Sequence, residues 1–166
     1  MARDLFPTVV HTLVVQQGRV LLLRRAGTGF ADGLLQPPGG HVIAGESITE
    51  AAIRECREEA CIEIARDALK PLCVMPYAAP AGSPTGSPTG SPTGSPTGSP
   101  GGQGIDFLML CERFTGTPSI GEPHRADHIG WFALDALPEA VVPFLVPALR
   151  CWREGRWYHE FGFPER

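Results

Sequence analysis

Glu55, Glu58 and Glu59 stand at positions i, i+3 and i+4. On a helix, at about 100° per residue, they share an arc of roughly 100°. Carboxylates so spaced repel one another, and something has to offset that repulsion. Arg54 and Arg57, interleaved with them, could do part of it, and a divalent cation could do more. A glutamate-rich helix face standing alone reads as a solvated surface. The preceding loop sharpens the reading: Gly39-Gly40 lets backbone approach a ligand closely, and Gly45 permits a tight turn into the helix. A glycine-bent loop feeding an acidic helix suits a hard, oxygen-preferring ion such as Mg²⁺, which binds carboxylates together with phosphate oxygens.

The element that must carry these side chains is a helix. Ser47 with Glu50 three residues later forms a capping box, which satisfies free N–H groups at a helix start. Thr49, Ala52, Ile53, Cys56 and Ala60 fall on one stripe suited to a core, and the three glutamates lie beside it.

The stretch GGHVIAGESITEAAIRECREEACI resembles the Nudix box, G-x5-E-x7-R-E-U-x-E-E-x-G-U, where U is apolar. Gly40, Glu46, Arg54, Glu55, Glu58 and Glu59 match, and Ile62 fills the last apolar position. Cys56 takes an apolar place, and Cys61 stands where the box has glycine. The resemblance implies an α/β fold of Nudix type: an α/β/α sandwich with a mixed β-sheet between helices and the box as loop–helix–loop.

It also implies an enzyme, a small MutT-like pyrophosphohydrolase that cleaves a nucleoside diphosphate linked to a further moiety, releasing NMP. A free nucleoside triphosphate, oxidised or otherwise modified, is the favoured substrate. A nucleotide sugar, a dinucleotide, or a weakly catalytic module sensing a nucleotide remain as alternatives. Gly40, Glu55, Glu58 and Glu59 would hold Mg²⁺, with Mn²⁺ as a substitute, and Glu46 would hold Arg54, which positions the helix carboxylates. The general base stays open among Glu55, Glu58, Glu122 and Asp127. Arg25, Phe30, Glu122 and Asp127 are candidate substrate contacts; Phe30 is either a platform for a base or an anchor for its loop.

The 166 residues, 43% of them hydrophobic, fit one globular domain over 1–166 with a sizeable core. A net charge of −4 argues against a general nucleic-acid or membrane surface; the resemblance implies a small nucleotide as partner, with homodimerisation left open. An acidic protein acting on polyphosphates needs cations to bring the two anions together. Five scattered cysteines without a C-x-x-C pair, and no signal peptide or long apolar run, point to a reduced, cytoplasmic protein.

Along the chain, 8–16 and 19–25 read as two strands around the Gln17-Gly18 turn, and His11 in the first reads as a structural histidine. Strands follow at 72–75, 105–114 and 128–134, with 62–64 as a short further one, and a last helix spans 141–152 with Phe144, Leu145, Ala148 and Leu149 buried. The aromatic tail 157–161 could cover a sheet edge or an interface. Between the strands at 72–75 and 105–114, SPTG repeats four times from Ser83 to Gly98. This tract has no apolar residue for a core, so 81–104 reads as a disordered loop insertion and not as a domain boundary.

Overall fold

The computed structural model describes residues 6–78 and 102–163, and the SPTG tract lies outside them. These residues include seven strands, two α-helices and a 3-10 turn at Arg66–Ala68. The strands are β1 (Thr8–Gln16), β2 (Arg19–Arg25), β3 (Leu35–Gln36), β4 (Gly39–His41), β5 (Leu69–Ala78), β6 (Gln103–Cys111) and β7 (Ala126–Ala133). Helix α1 (Ile48–Ala60) lies between β4 and β5, and α2 (Leu145–Glu154) follows β7. The sheet runs β3-β2-β1-β6-β5, with β4 also paired to β1 and β7 to β2. Only the β1–β6 pair is parallel, so the sheet is mixed.

Strand residues alternate between faces, and here each face has a core of its own. Val10 and Val14 of β1, Leu21 of β2, and Met109 and Cys111 of β6 pack with Ala51, Ala52, Cys56 and Ala60 of α1. Leu13, Val15, Val20, Leu22, Leu108 and Leu110 pack with Leu145, Ala148 and Leu149 of α2. Covered on both sides, β1 and β2 read as almost unbroken apolar runs instead of alternating ones. The arrangement is the α/β sandwich expected from the sequence.

His11 is the polar exception in β1. It is fully buried, its Nδ1 lies 2.9 Å from Oδ2 of Asp106 on β6, and its ring is 4.6 Å from that of Phe144. It has the structural place expected for it.

Several element bounds differ from the sequence reading. β5 starts at Leu69 and runs to Ala78, because its partner β6 supplies a ladder over that whole length. β6 begins at Gln103, inside the span assigned to the insertion, with Gln103 opposite Ala78. The insertion thus joins two strands that are hydrogen-bonded neighbours. Residues 62–64 give only an isolated bridge, Glu63 to Thr115. Helix α2 is shorter at its start than 141. The tail runs along β5: Trp157 O accepts from Val74 N (2.8 Å), and Phe161 N donates to Pro76 O (2.9 Å). It covers the exposed edge of the sheet.

Candidate active site

Helix α1 is built as its sequence dictates. Ser47 N donates to Oε2 of Glu50 (2.8 Å) and Glu50 N to Oγ of Ser47 (3.3 Å), closing the capping box. At the other end Cys61 takes the left-handed conformation, φ 55°, and its N–H donates to the Arg57 carbonyl (3.2 Å). The last carbonyls are satisfied from a distant loop: Ser119 N donates to Ala60 O (3.1 Å) and Gly121 N to Glu59 O (3.0 Å). Gly121 has to be glycine, since a Cβ there would overlap the Glu58 carbonyl oxygen.

Arg54 organises the acids. Its Nε and Nη2 form a two-pronged pair with Glu46 (3.0 and 2.7 Å), and Nη1 reaches both Glu55 (2.6 Å) and Glu58 (3.0 Å). Nη2 also donates to the His41 carbonyl (3.0 Å), tying the helix to β4. Glu46 in turn accepts from Ile43 N (2.8 Å), which fixes the turn at 43–46. Hydrogen bonding to Arg54 holds the Glu46 carboxyl below the usual range and raises the guanidinium further. Arg57 makes its hydrogen bonds to Glu63 instead (2.7 and 2.8 Å).

Glu55 is buried under β4. Burial pushes its carboxyl up, against the lowering effect of Arg54. A Cβ on Gly40 would lie 2.5 Å from Oε1 of Glu55, so the absence of a side chain there gives the carboxylate its place. Glu59, one turn further along α1, also reaches β4, where its Oε2 accepts the Gly39 N–H (2.9 Å). Burial, offset in part by that hydrogen bond and reinforced by nearby Glu55 and Glu122, pushes Glu59 up to about 8.

Glu59 opens onto a cleft of about 300 Å³, continuous with solvent, lined also by Leu23, Arg25, Thr28, Gln36, Glu122 and Arg125. Arg25 is buried, and its guanidinium is engaged by Phe30 O (2.9 Å), Gln36 Oε1 (2.9 Å) and Thr28 Oγ1 (2.8 Å). Phe30 is half-buried, and its carbonyl anchors the loop through Arg25. Glu122 lines the cleft, whereas Asp127 lies on the exposed surface paired with Arg24 (2.7 Å). Arg125, Thr28 and Gln36 are cleft residues without a motif of their own in the sequence.

Among the described residues, no three His, Cys, Asp or Glu side chains converge as a ready metal cage. The reason is visible in the hydrogen bonds: Arg54 holds Glu55 and Glu58, while Glu59 is held by Gly39. The donor chemistry nevertheless suits a hard divalent cation, because every nearby acid offers oxygen and Glu55 already has a side-chain-free backbone against it.

The NUDIX domain family model matches residues 4–150. The chain belongs to the Nudix family. Among curated proteins none matches it. A MutT NUDIX hydrolase from Burkholderia pseudomallei has a similar structure, with TM-score 0.71, 28% identity, and coverage of 89% of this chain and 98% of that one. The E. coli ORF135 protein shares the fold at 22% identity, TM-score 0.64 and 91% coverage of each chain. So does a bifunctional NMN adenylyltransferase/ADP ribose pyrophosphatase from Francisella tularensis, complexed with AMP and a manganese ion. It is 19% identical, with TM-score 0.62, covering 94% of this chain and 43% of that one. This Nudix protein is accordingly a pyrophosphohydrolase, of a family acting on nucleoside diphosphate-linked compounds and generally using divalent metals. No helix among its described residues is long and apolar enough to cross a membrane.

Proposed function

We propose that the protein hydrolyses a nucleoside triphosphate, ordinary or oxidised, to NMP and pyrophosphate, with Mg²⁺ as the working cation and Mn²⁺ able to replace it. The observation that carries this reading is Arg54, which holds Glu46, Glu55 and Glu58 at once and so fixes two helix carboxylates beside each other. A sensor of nucleotides would have no need of that arrangement. The small single-domain build of the chain favours a single nucleotide over capped RNA or a dinucleotide.

Glu55, Glu58 and Glu59, with backbone at Gly40, would hold the cation. When bound, it neutralises phosphate oxygens and lowers the pKa of the attacking water. Arg54 positions Glu55 and Glu58, and Glu46 in turn fixes Arg54 through two parallel hydrogen bonds. Glu122, at the cleft wall, is the acid outside the helix best placed to accept the water's proton. All five cysteines are unpaired, in keeping with a cytoplasmic location.

A panel of nucleoside triphosphates, oxidised nucleotides, nucleotide sugars and dinucleotides, assayed with Mg²⁺ and read by ³¹P NMR, tests the assignment. NMP with pyrophosphate from a triphosphate is the expected outcome. Release of γ-phosphate alone, or preference for a nucleotide sugar, would overturn it.

A further inference from the structure

The cleft contains two arginines in very different states. Arg25 is buried and spends its guanidinium on Phe30, Gln36 and Thr28. Arg125 lines the same cleft with 41% of its side chain exposed, and its ion pair is a long one, 3.5 Å from Nη1 to Oε2 of Glu122. Its backbone, by contrast, is firmly placed. Arg125 O accepts from Ala26 N (2.9 Å), Arg125 N donates to Glu122 O (2.9 Å), and Ala126 N donates to the same carbonyl (3.1 Å). Gly27 packs so closely beneath this loop that a Cβ there would come within 2.9 Å of His124 O. A loosely paired guanidinium on a fixed backbone, facing a cleft next to Glu59, is built to exchange its partner for another anion.

We propose that Arg125 grips the substrate's phosphate chain, giving up its pair with Glu122 for phosphate oxygens. This rests on the reading of the site as a pyrophosphohydrolase and names the residue that supplies affinity for the diphosphate. Guanidinium–phosphate pairs are short, two-pronged and charge-assisted, so phosphate competes well against a carboxylate held at 3.5 Å. The exchange also releases Glu122, which couples substrate arrival to the freeing of an acid beside Glu59.

The test compares the full-length wild type with Arg125→Gln and Arg125→Lys by calorimetric titration of inorganic pyrophosphate at low salt, without added metal, and by kinetics on the best substrate with Mg²⁺. Thermal melts check that each variant is folded. The expected result is at least about tenfold weaker pyrophosphate binding and a KM raised at least about tenfold in Arg125→Gln, with partial recovery in Arg125→Lys. Glu122→Gln should bind pyrophosphate no more weakly than the wild type. Unchanged pyrophosphate affinity in a folded Arg125→Gln variant, or no pyrophosphate binding by the wild type, overturns the proposal. Binding that depends on Arg125 in a protein that hydrolyses no member of the substrate panel would sustain this proposal and refute the proposed reaction.

Discussion

The Glu55 carboxylate occupies the space a side chain on Gly40 would need: a Cβ there would lie 2.5 Å from Oε1 and 2.9 Å from Oε2. Gly40 and its neighbour Gly39 therefore fail differently when replaced. In Gly40→Ala the new methyl meets only the tip of a flexible side chain, so Glu55 is displaced while the fold relaxes around it. Thermal melts should register less than about 1 kcal/mol, whereas kcat should fall at least about 10²-fold. In Gly39→Ala the methyl meets the Val10 carbonyl oxygen and His11 in β1, neither of which can yield cheaply. That variant should lose on the order of 2 kcal/mol of stability by urea unfolding. Equal stability losses in the two variants would contradict this division.

Cys61 holds φ at 55°, a conformation that costs a side-chain-bearing residue about 1 kcal/mol. Glycine takes it freely but gains freedom in the unfolded chain, worth about 0.4–1 kcal/mol in the opposite direction. Cys61→Gly should therefore be neutral or slightly stabilising, with Mg²⁺ dependence of activity kept or improved. Urea unfolding and a Mg²⁺ titration check both halves. A loss above about 1 kcal/mol would mean that the Cys61 side chain contributes packing that outweighs its backbone strain.

Burial pushes the Glu59 carboxyl from its ordinary 4.5 up to about 8. A carboxyl whose folded pKa is raised binds its proton more tightly in the folded state than in the unfolded one. Its contribution is greatest below 4.5 and is lost as pH rises toward 8. In EDTA, then, the wild type should become progressively less stable than Glu59→Gln between pH 4.5 and 8, because glutamine carries no charge to bury. Added Mg²⁺ at pH 8 should narrow the gap. Parallel pH–melting curves for the two proteins would show that Glu59 is not burdened in this way.

Because Ala78 and Gln103 are paired neighbours, the insertion closes what is otherwise a β-hairpin. Replacing residues 83–101 with a short glycine-serine loop should leave the melt intact and kcat/KM within about threefold, since loop-closure entropy grows only with the logarithm of length. Loss of activity without loss of fold would assign the tract a contact with substrate.

Much of α1 was legible because its signals are local. Ser47 and Glu50 are three residues apart, the glutamates lie within five, and the left-handed end at Cys61 follows from the glycine the box has there. β3 and β4 were not legible. They are two and three residues long, set among glycines and prolines, and exist only because β2 and β1 offer them ladders. The partner of Arg57 was equally hidden: Glu55, Glu58 and Glu59 are near it in sequence, but the chain's turn at Cys61 brings Glu63 to it instead. Arg25 reads as a candidate substrate contact, and the structure shows the loop from Thr28 to Phe30 folding back to engage its guanidinium. Arg125 had no local signal, one arginine in a polar loop; its place depends on a backbone bond from Ala26, just past the end of β2 and distant in sequence.

The three helix carboxylates are the centre of the proposed chemistry, and Glu58 is the one to remove first. It is exposed, so the change to glutamine leaves the core untouched. The measurement is kcat of Glu58→Gln on the best triphosphate substrate at saturating Mg²⁺, beside the wild type with and without excess EDTA. A fall of at least about 10²-fold in the folded variant, with wild-type turnover abolished by EDTA, is the expected result. Turnover by Glu58→Gln within threefold of the wild type, or robust wild-type activity in EDTA, would contradict it.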